Sequence, residues 1–167
     1  MSSGTSGKIS VKKLKQKKDN NEKIVAVTAY DARMAELADQ AGMDILLVGD
    51  SVGMTMLGYK TTVPVTLEQS LHHTAAAARG AEKAMVVGDM PFQTYNVTQE
   101  RALLNAGRYL QEAGADAVKI EGGSEICGTV QRLVEVGVPV MGHIGLLPQS
   151  VKTEGGYKIK RQEHTDK

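Results

Sequence analysis

The stretch DILLVGDSVGMTMLGYKTTVPVT, residues 44–66, is the most informative part of the sequence for the fold. A short apolar run from Asp44 to Val48 ends abruptly in Gly49-Asp50-Ser51, and a long loop of small residues follows. A continuous apolar run without polar alternation is typical of a strand buried on both faces, as in a parallel sheet covered by helices. The stretch therefore predicts a buried parallel strand that delivers a carboxylate and a hydroxyl at its C-terminal end.

Similar apolar runs alternate with longer helical stretches along the rest of the chain. The predicted strands cover residues 24–28, 44–48, 84–87, 117–120 and 138–141. The predicted helices cover residues 31–41, 66–79, 98–113 and 124–136. Asp31 is predicted to cap the first of these helices, and Thr66 with Gln69 has the spacing of a capping box. Alternating β and α units indicate an α/β fold, either an open doubly wound sheet or a (β/α)8 barrel.

Composition disfavours several classes of function. The 167 residues carry a net charge of +1, which favours neither nucleic acid nor a membrane surface as a partner. No apolar run approaches the roughly 18 residues of a membrane helix. The single cysteine, Cys127, fits a reducing compartment. These features predict a cytoplasmic protein with no nucleic-acid or membrane partner.

The chain is predicted to have three segments. Residues 1–22 are polar, contain the basic run KKLKQKK, and are expected to be flexible or to form a short surface helix. Residues 23–157 are expected to form the barrel segment, and residues 158–167 a polar tail. A complete (β/α)8 barrel typically needs about 250 residues. Only about the first five β/α units are therefore expected in this sequence.

Acidic residues follow three successive predicted strands: Asp50 follows the second, Asp89 the third and Glu121 the fourth. Because parallel strands end at one rim of a barrel, these carboxylates would repel one another unless a cation neutralises them. Magnesium prefers oxygen ligands and commonly takes one or two direct carboxylates. The pattern therefore predicts a Mg2+ site at Asp50, Asp89 and Glu121, with some ligation through water.

Two basic groups accompany these acids. Lys119 lies two residues before Glu121, so it points to the same strand face and could pair with an anionic substrate. His143 follows the fifth predicted strand and is either a satisfied core histidine or a functional group. Taken alone, Asp50 or Asp89 is more often a turn residue or a helix cap, so the prediction depends on the joint pattern. Neither a P-loop nor a dinucleotide fingerprint is present, which disfavours nucleotide binding.

Five segments together resemble one known family. They are TAYD, LLVGDSVGMTMLGYKTTVPVTLEQ, VVGDMPF, AVKIEGG and GVPVMGHIGLLPQS. In order and spacing, from about Thr28 to Gly156, they are similar to the 3-methyl-2-oxobutanoate (ketopantoate) hydroxymethyltransferases. The resemblance implies a (β/α)8 barrel of the phosphoenolpyruvate/pyruvate superfamily. It also implies transfer of a hydroxymethyl group from 5,10-methylenetetrahydrofolate to 3-methyl-2-oxobutanoate, which gives ketopantoate (2-dehydropantoate) for pantothenate and coenzyme A synthesis.

The resemblance also implies roles for particular residues. Asp50 and Asp89 match the metal-site aspartates, and Glu121 matches the acid beside the metal. The implied substrate-binding residues are Asp50, Ser51, Asp89, Lys119 and His143. The family's general base is a glutamate on a later strand, and neither Glu154 nor Glu163 matches it, so no catalytic base is expected here. The family assembles as a decamer, which implies a homo-oligomer.

Several interpretations stay open at this point. The sequence fits a truncated or alternatively spliced form of such an enzyme, inactive by itself, or a chain whose barrel is completed by a partner chain. It also fits a non-catalytic domain used for assembly or ligand binding. Another magnesium-dependent 2-oxo-acid enzyme of the same superfamily, such as a lyase, is the remaining alternative, and the motif GHIGLLPQS argues against it.

Overall fold

The strand order identifies the type of α/β fold. The computed structural model describes residues 7–145 and 148–150. The five strands are β1 Ala26–Thr28, β2 Ile45–Val48, β3 Met85–Asp89, β4 Ala117–Glu121 and β5 Val140–His143. All are parallel, and each pairs with the next one in the chain. A doubly wound sheet reverses its strand order at a switch point, so this order indicates a partial (β/α)8 barrel.

Helices precede and connect the strands. They are α1 Val11–Asp19, α2 Ala32–Gln40, α3 Val52–Thr55, α4 Leu67–Gly80, α5 Gln99–Gln111 and α6 Cys127–Glu135. Two predicted caps are confirmed: Asp31 accepts a hydrogen bond from the Met34 N–H, and Thr66 and Gln69 form a capping box. Among the described residues, no helix has the length and apolar character that a membrane crossing requires.

The boundaries of the last predicted units differ from the sequence pattern. The stretch predicted as one helix from residue 124 begins with a 3-10 turn, Ser124–Ile126, before α6. Strand β5 begins two residues later than predicted, at Val140. Pro139 has no N–H to donate to a strand ladder, which explains why regular pairing starts after it.

Burial differs between the central and the outer strands. Strands β3 and β4 are buried along their whole length and β2 almost so, as the continuous apolar runs predict. The prediction of burial is wrong for β1, whose three residues are exposed, and only partly right for β5. Both are edge strands of the described sheet, so one side of each has no neighbouring strand to cover it.

The strand register divides the barrel interior into an apolar and a charged half. The apolar half lies toward the strands' N-terminal ends and is formed by Ile45, Met85, Val87 and Ala117. Further along the same faces, the register sets Asp89 beside Lys119 and Glu121 beside His143. Because side chains alternate along a strand, Lys119 and Glu121 face the same side, as predicted.

The N-terminal segment closes the apolar end of the interior. Ile9 and Leu14 pack against the apolar cluster. Lys17 Nζ lies 2.6 Å from Asp44 Oδ1, and Lys8 Nζ lies 2.8 Å from Asp116 Oδ2. The basic run, predicted to be flexible or a short surface helix, is a helix without buried residues that is held against the strands' N-terminal ends. The predicted tail, residues 158–167, lies outside the described residues.

The Lys17–Asp44 pair should stabilise the docking of α1 in a pH-dependent way. Burial alone would raise the pKa of Asp44, but hydrogen bonds from Lys17 and the Val25 N–H outweigh it and hold the pKa below its ordinary 3.8. A lowered pKa contributes stability above the unfolded-state pKa, and this contribution is lost as the pH falls through the folded-state pKa. We expect Lys17→Met to lower the free energy of unfolding at pH 7 by about 1–3 kcal/mol.

Urea unfolding at neutral pH and at about pH 3 would check this expectation. The loss in free energy of unfolding caused by Lys17→Met should be smaller at the lower pH, because Asp44 then approaches its protonated state in both proteins. Lys15→Met, on an exposed position of the same helix, is the matched control and should stay within about 0.5 kcal/mol of the unmodified chain. An equal deficit at both pH values would contradict the assignment.

Candidate active site

Asp50 and Asp89 meet at the C-terminal ends of neighbouring strands. The Asp50 N–H donates to Asp89 Oδ2 at 3.0 Å, and Lys119 Nζ lies 2.8 Å from Asp89 Oδ1. All three residues are buried. The structure therefore brings together the two aspartates and the lysine that the strand-end pattern singles out.

The turn after β2 places a hydroxyl next to this acidic pair. A Cβ at Gly49 would lie 2.8 Å from Ser51 Oγ, so a side chain there would displace the Ser51 hydroxyl. Ser51 Oγ lies 2.9 Å from the hydroxyl of Tyr30, a buried residue just after β1. His73 on α4 contacts the Tyr30 carbonyl at 2.7 Å. Tyr30 stands at a strand end like the predicted residues, but nothing in its local sequence indicates this contact.

Glu121 and His143 form a second pair at the ends of β4 and β5. Glu121 Oε2 lies 3.3 Å from His143 Nδ1, although the two atoms lack the alignment of a hydrogen bond. The Glu121 side chain is buried and that of His143 is 33% exposed. A further residue, Gln149, joins the two groups, since it donates to both Asp50 and Glu121. The sequence gives no sign of this role for Gln149.

The site holds more negative than positive charge. Three carboxylates, Asp50, Asp89 and Glu121, are buried with one lysine, Lys119. Burial raises the pKa of Asp89 to about 7, and the charge of Asp50 adds to this while Lys119 opposes it. Burial also raises the pKa of Glu121, against the hydrogen bond from the Gln149 N–H. A hard divalent cation would relieve this excess charge.

The carboxylates of the site fit a magnesium ion whose remaining ligands are waters and substrate oxygens. Within residues 7–145 and 148–150, no three His, Cys, Asp or Glu side chains form a ready-made metal cluster. Magnesium is commonly held by one or two carboxylates, with waters and substrate oxygens completing its shell. Asp50 and Asp89 fit that arrangement as two buried carboxylates that line one cleft, with Lys119 Nζ 2.8 Å from Asp89 Oδ1. The predicted metal role of Asp50, Asp89 and Glu121 stays a prediction.

A cleft of about 300 Å³ opens beside these groups. All five predicted substrate-binding residues line it, namely Asp50, Ser51, Asp89, Lys119 and His143. Thr62 also lines it, and its buried hydroxyl has no hydrogen-bond partner among the described residues. A larger cleft of about 440 Å³ lies between α2 and α4, away from the strand ends where barrels place their chemistry. The smaller cleft is therefore the candidate active site.

The fold and the site together resemble those of (β/α)-barrel enzymes. Buried ionisable groups with raised pKa values, gathered around a cleft at the C-terminal ends of parallel strands, are typical of (β/α)-barrel active sites. The family model described as ketopantoate hydroxymethyltransferase matches residues 8–167. The chain belongs to this family.

Close relatives carry the corresponding name. The 3-methyl-2-oxobutanoate hydroxymethyltransferase of Thermotoga neapolitana is 59% identical over 152 residues, which are 91% of this chain and 56% of the relative. That of Dehalococcoides mccartyi is 54% identical over 150 residues, which are 90% of this chain and 53% of the relative. The chain thus spans about half the length of these curated relatives.

Solved structures support the fold. Phosphonopyruvate hydrolase, in complex with oxalate and Mg++, matches with a TM-score of 0.66 and 16% identity over 86% of this chain and 53% of that one. 2,3-Dimethylmalate lyase, a PEP mutase/isocitrate lyase superfamily member, matches with a TM-score of 0.60 and 19% identity over 87% and 53%. At these identities the likeness shows the fold alone, and it confirms the predicted type of barrel.

Proposed function

We propose that this chain forms the metal- and keto-acid-binding part of an enzyme of pantothenate synthesis. The reaction is hydroxymethyl transfer from 5,10-methylenetetrahydrofolate to 3-methyl-2-oxobutanoate, which gives ketopantoate. One observation carries the proposal: the five predicted substrate-binding residues line a single cleft. Membership of the family supports the choice of reaction.

The residues of the cleft suit a 2-oxo acid, which has a keto oxygen next to a carboxylate. Asp50 and Asp89 would hold the magnesium ion. Magnesium bound there would act as a Lewis acid that polarises the keto group and so acidifies the C3 hydrogen. Ser51, oriented by Tyr30, can donate a hydrogen bond to the substrate carboxylate. Lys119 and His143 supply donors for oxygens that gain negative charge as the C3 proton leaves.

Three further parts of the proposal rest on family membership. They are the folate co-substrate, homo-oligomeric assembly and a cytoplasmic location. The proton acceptor for C3 is not assigned to any described residue. The family model covers most of the chain, and the relatives that share its name are themselves hydroxymethyltransferases.

The proposal predicts magnesium-dependent binding of 3-methyl-2-oxobutanoate to this chain. Chelation by the keto and carboxylate oxygens should make the affinity measured by calorimetry rise when Mg2+ is added. In deuterated water, NMR should show Mg2+-dependent exchange of the C3 hydrogen.

The matched control ligand is 3-methylbutanoate, which has the same carbon skeleton without the keto oxygen. Its binding should not respond to Mg2+, because it has no keto oxygen with which to chelate the ion together with a carboxylate oxygen. Keto-acid binding that is equally strong with and without Mg2+ would refute the proposed function.

A further inference from the structure

Gln149 connects the ends of three strands of the barrel. Its Nε2 donates to Asp50 Oδ2 at 3.0 Å and to the Met90 carbonyl at 3.1 Å. Its backbone N–H donates to Glu121 Oε1 at 2.8 Å. Asp50, Met90 and Glu121 stand at the C-terminal ends of β2, β3 and β4 respectively. One buried residue that follows β5 therefore contacts every central strand end.

The orientation of the Gln149 amide is fixed by its neighbours. Its Oε1 lies 3.0 Å from the hydroxyl of Tyr95, whose one proton is shared between Oε1 and the Glu121 carbonyl 2.8 Å away. If the amide were turned over, Oε1 would face two acceptors, the Asp50 carboxylate and the Met90 carbonyl. Only the observed orientation matches each donor with an acceptor.

These contacts constrain both acids without using all of their oxygens. One carboxylate oxygen of Asp50 and one of Glu121 accept hydrogen bonds from Gln149. The Asp50 oxygen that Gln149 contacts is Oδ2, and Asp50 lines the cleft. A carboxylate held through one oxygen has lost most of its rotational freedom, so its second oxygen is presented in a defined direction.

We propose that Gln149 is a positioning residue for the metal site: its amide orients Asp50 for cation binding and its N–H holds Glu121 beside it. The inference rests on the proposed function, because it needs a cation at Asp50 and Asp89. Gln149 touches neither substrate nor metal in this account and acts through Asp50. Residues that orient metal ligands through hydrogen bonds typically change metal affinity by about 10–100-fold when they are replaced.

Two replacements of Gln149 test this role. Gln149→Met keeps the length of the side chain but removes all three amide contacts, and Gln149→Asn keeps the amide on a stem too short to reach Asp50. Both keep the backbone N–H that binds Glu121. We expect Mg2+ and Mn2+ affinities, measured by calorimetry, to fall by about 10–100-fold in each variant. The electron paramagnetic resonance spectrum of bound Mn2+ should also change, because the geometry of its ligands changes.

Asn105→Leu is the matched control. The Asn105 amide donates to the Thr94 carbonyl at 2.7 Å, a bond of the same kind as that between Gln149 and Met90, but it contacts no carboxylate of the site. This variant should lose stability and keep the metal affinity and Mn2+ spectrum of the unmodified chain. If both Gln149 variants also keep them, the positioning role is overturned while the proposed function stands. If the unmodified chain binds neither ion, the proposed function falls, and the inference with it.

Discussion

Replacing Gly80 by alanine should lower the free energy of unfolding by about 3 kcal/mol or more, at the upper end of overpacking costs. A Cβ at this last residue of α4 would lie 2.0 Å from the Ala32 carbonyl oxygen and 2.8 Å from its carbon. These are backbone atoms of α2, so no rotamer change relieves the collision, and the two helices must move apart. Urea unfolding measured by circular dichroism would give the change in free energy.

Gly107→Ala is the control for this prediction, because it is the same substitution within a helix. No atom lies within 4 Å of a Cβ at Gly107 on α5. Alanine there should raise the free energy of unfolding by about 0.5–1 kcal/mol, since glycine is a poor residue for a helix interior. A neutral or stabilising Gly80→Ala would show that α2 and α4 do not pack as described.

Moving α2 away from α4 would also disturb the candidate active site. His73 on α4 contacts the Tyr30 carbonyl just before α2, and the Tyr30 hydroxyl contacts Ser51. A displacement between the helices would loosen this chain of contacts. Gly80→Ala should therefore weaken keto-acid binding even under conditions in which the chain stays folded.

Much of the fold and of the acidic site could be predicted because it depends on local periodicity. Continuous apolar runs indicated the central strands, and the alternation of side chains set Lys119 and Glu121 on one face. The rule that parallel strands end at one rim then brought Asp50, Asp89 and Glu121 together. The choice between an open sheet and a barrel needed the strand order, which local patterns do not determine.

The contacts that could not be predicted join residues far apart in sequence. Gln149 and Asp50 are 99 positions apart, and Tyr30 and Ser51 are 21 apart. No periodicity relates such pairs, because their meeting depends on the path of the intervening strands and loops. The same holds for α1, whose Lys17 reaches Asp44 across 27 positions. The exposure of β1 was mispredicted because an apolar run does not show whether a strand has one neighbour or two.

Two aspartates of equal burial flank β2 and should have opposite effects when they are replaced. Asp44 precedes the strand and Asp50 follows it, and each is 5% exposed. Asp44 accepts from Lys17 and from the Val25 N–H, so its charge is balanced. Asp50 accepts from Gln149 but lies among other carboxylates, and its charge raises the pKa of Asp89. Asp44 should therefore stabilise the fold, while Asp50 should bind a cation.

We expect Asp50→Asn to abolish most Mg2+ binding, with an affinity loss larger than the roughly 10–100-fold caused by losing a residue that only orients a ligand. Its metal-free stability should be unchanged or higher, because one like charge leaves the acidic cluster. Asp44→Asn should instead lower the free energy of unfolding by about 1–3 kcal/mol and keep Mg2+ affinity. Calorimetry and urea unfolding, with and without Mg2+, separate the two effects. If Asp50→Asn destabilises the metal-free chain as much as Asp44→Asn and still binds Mg2+, then Asp50 is a structural residue, and the C-terminal ends of these strands do not form the metal site.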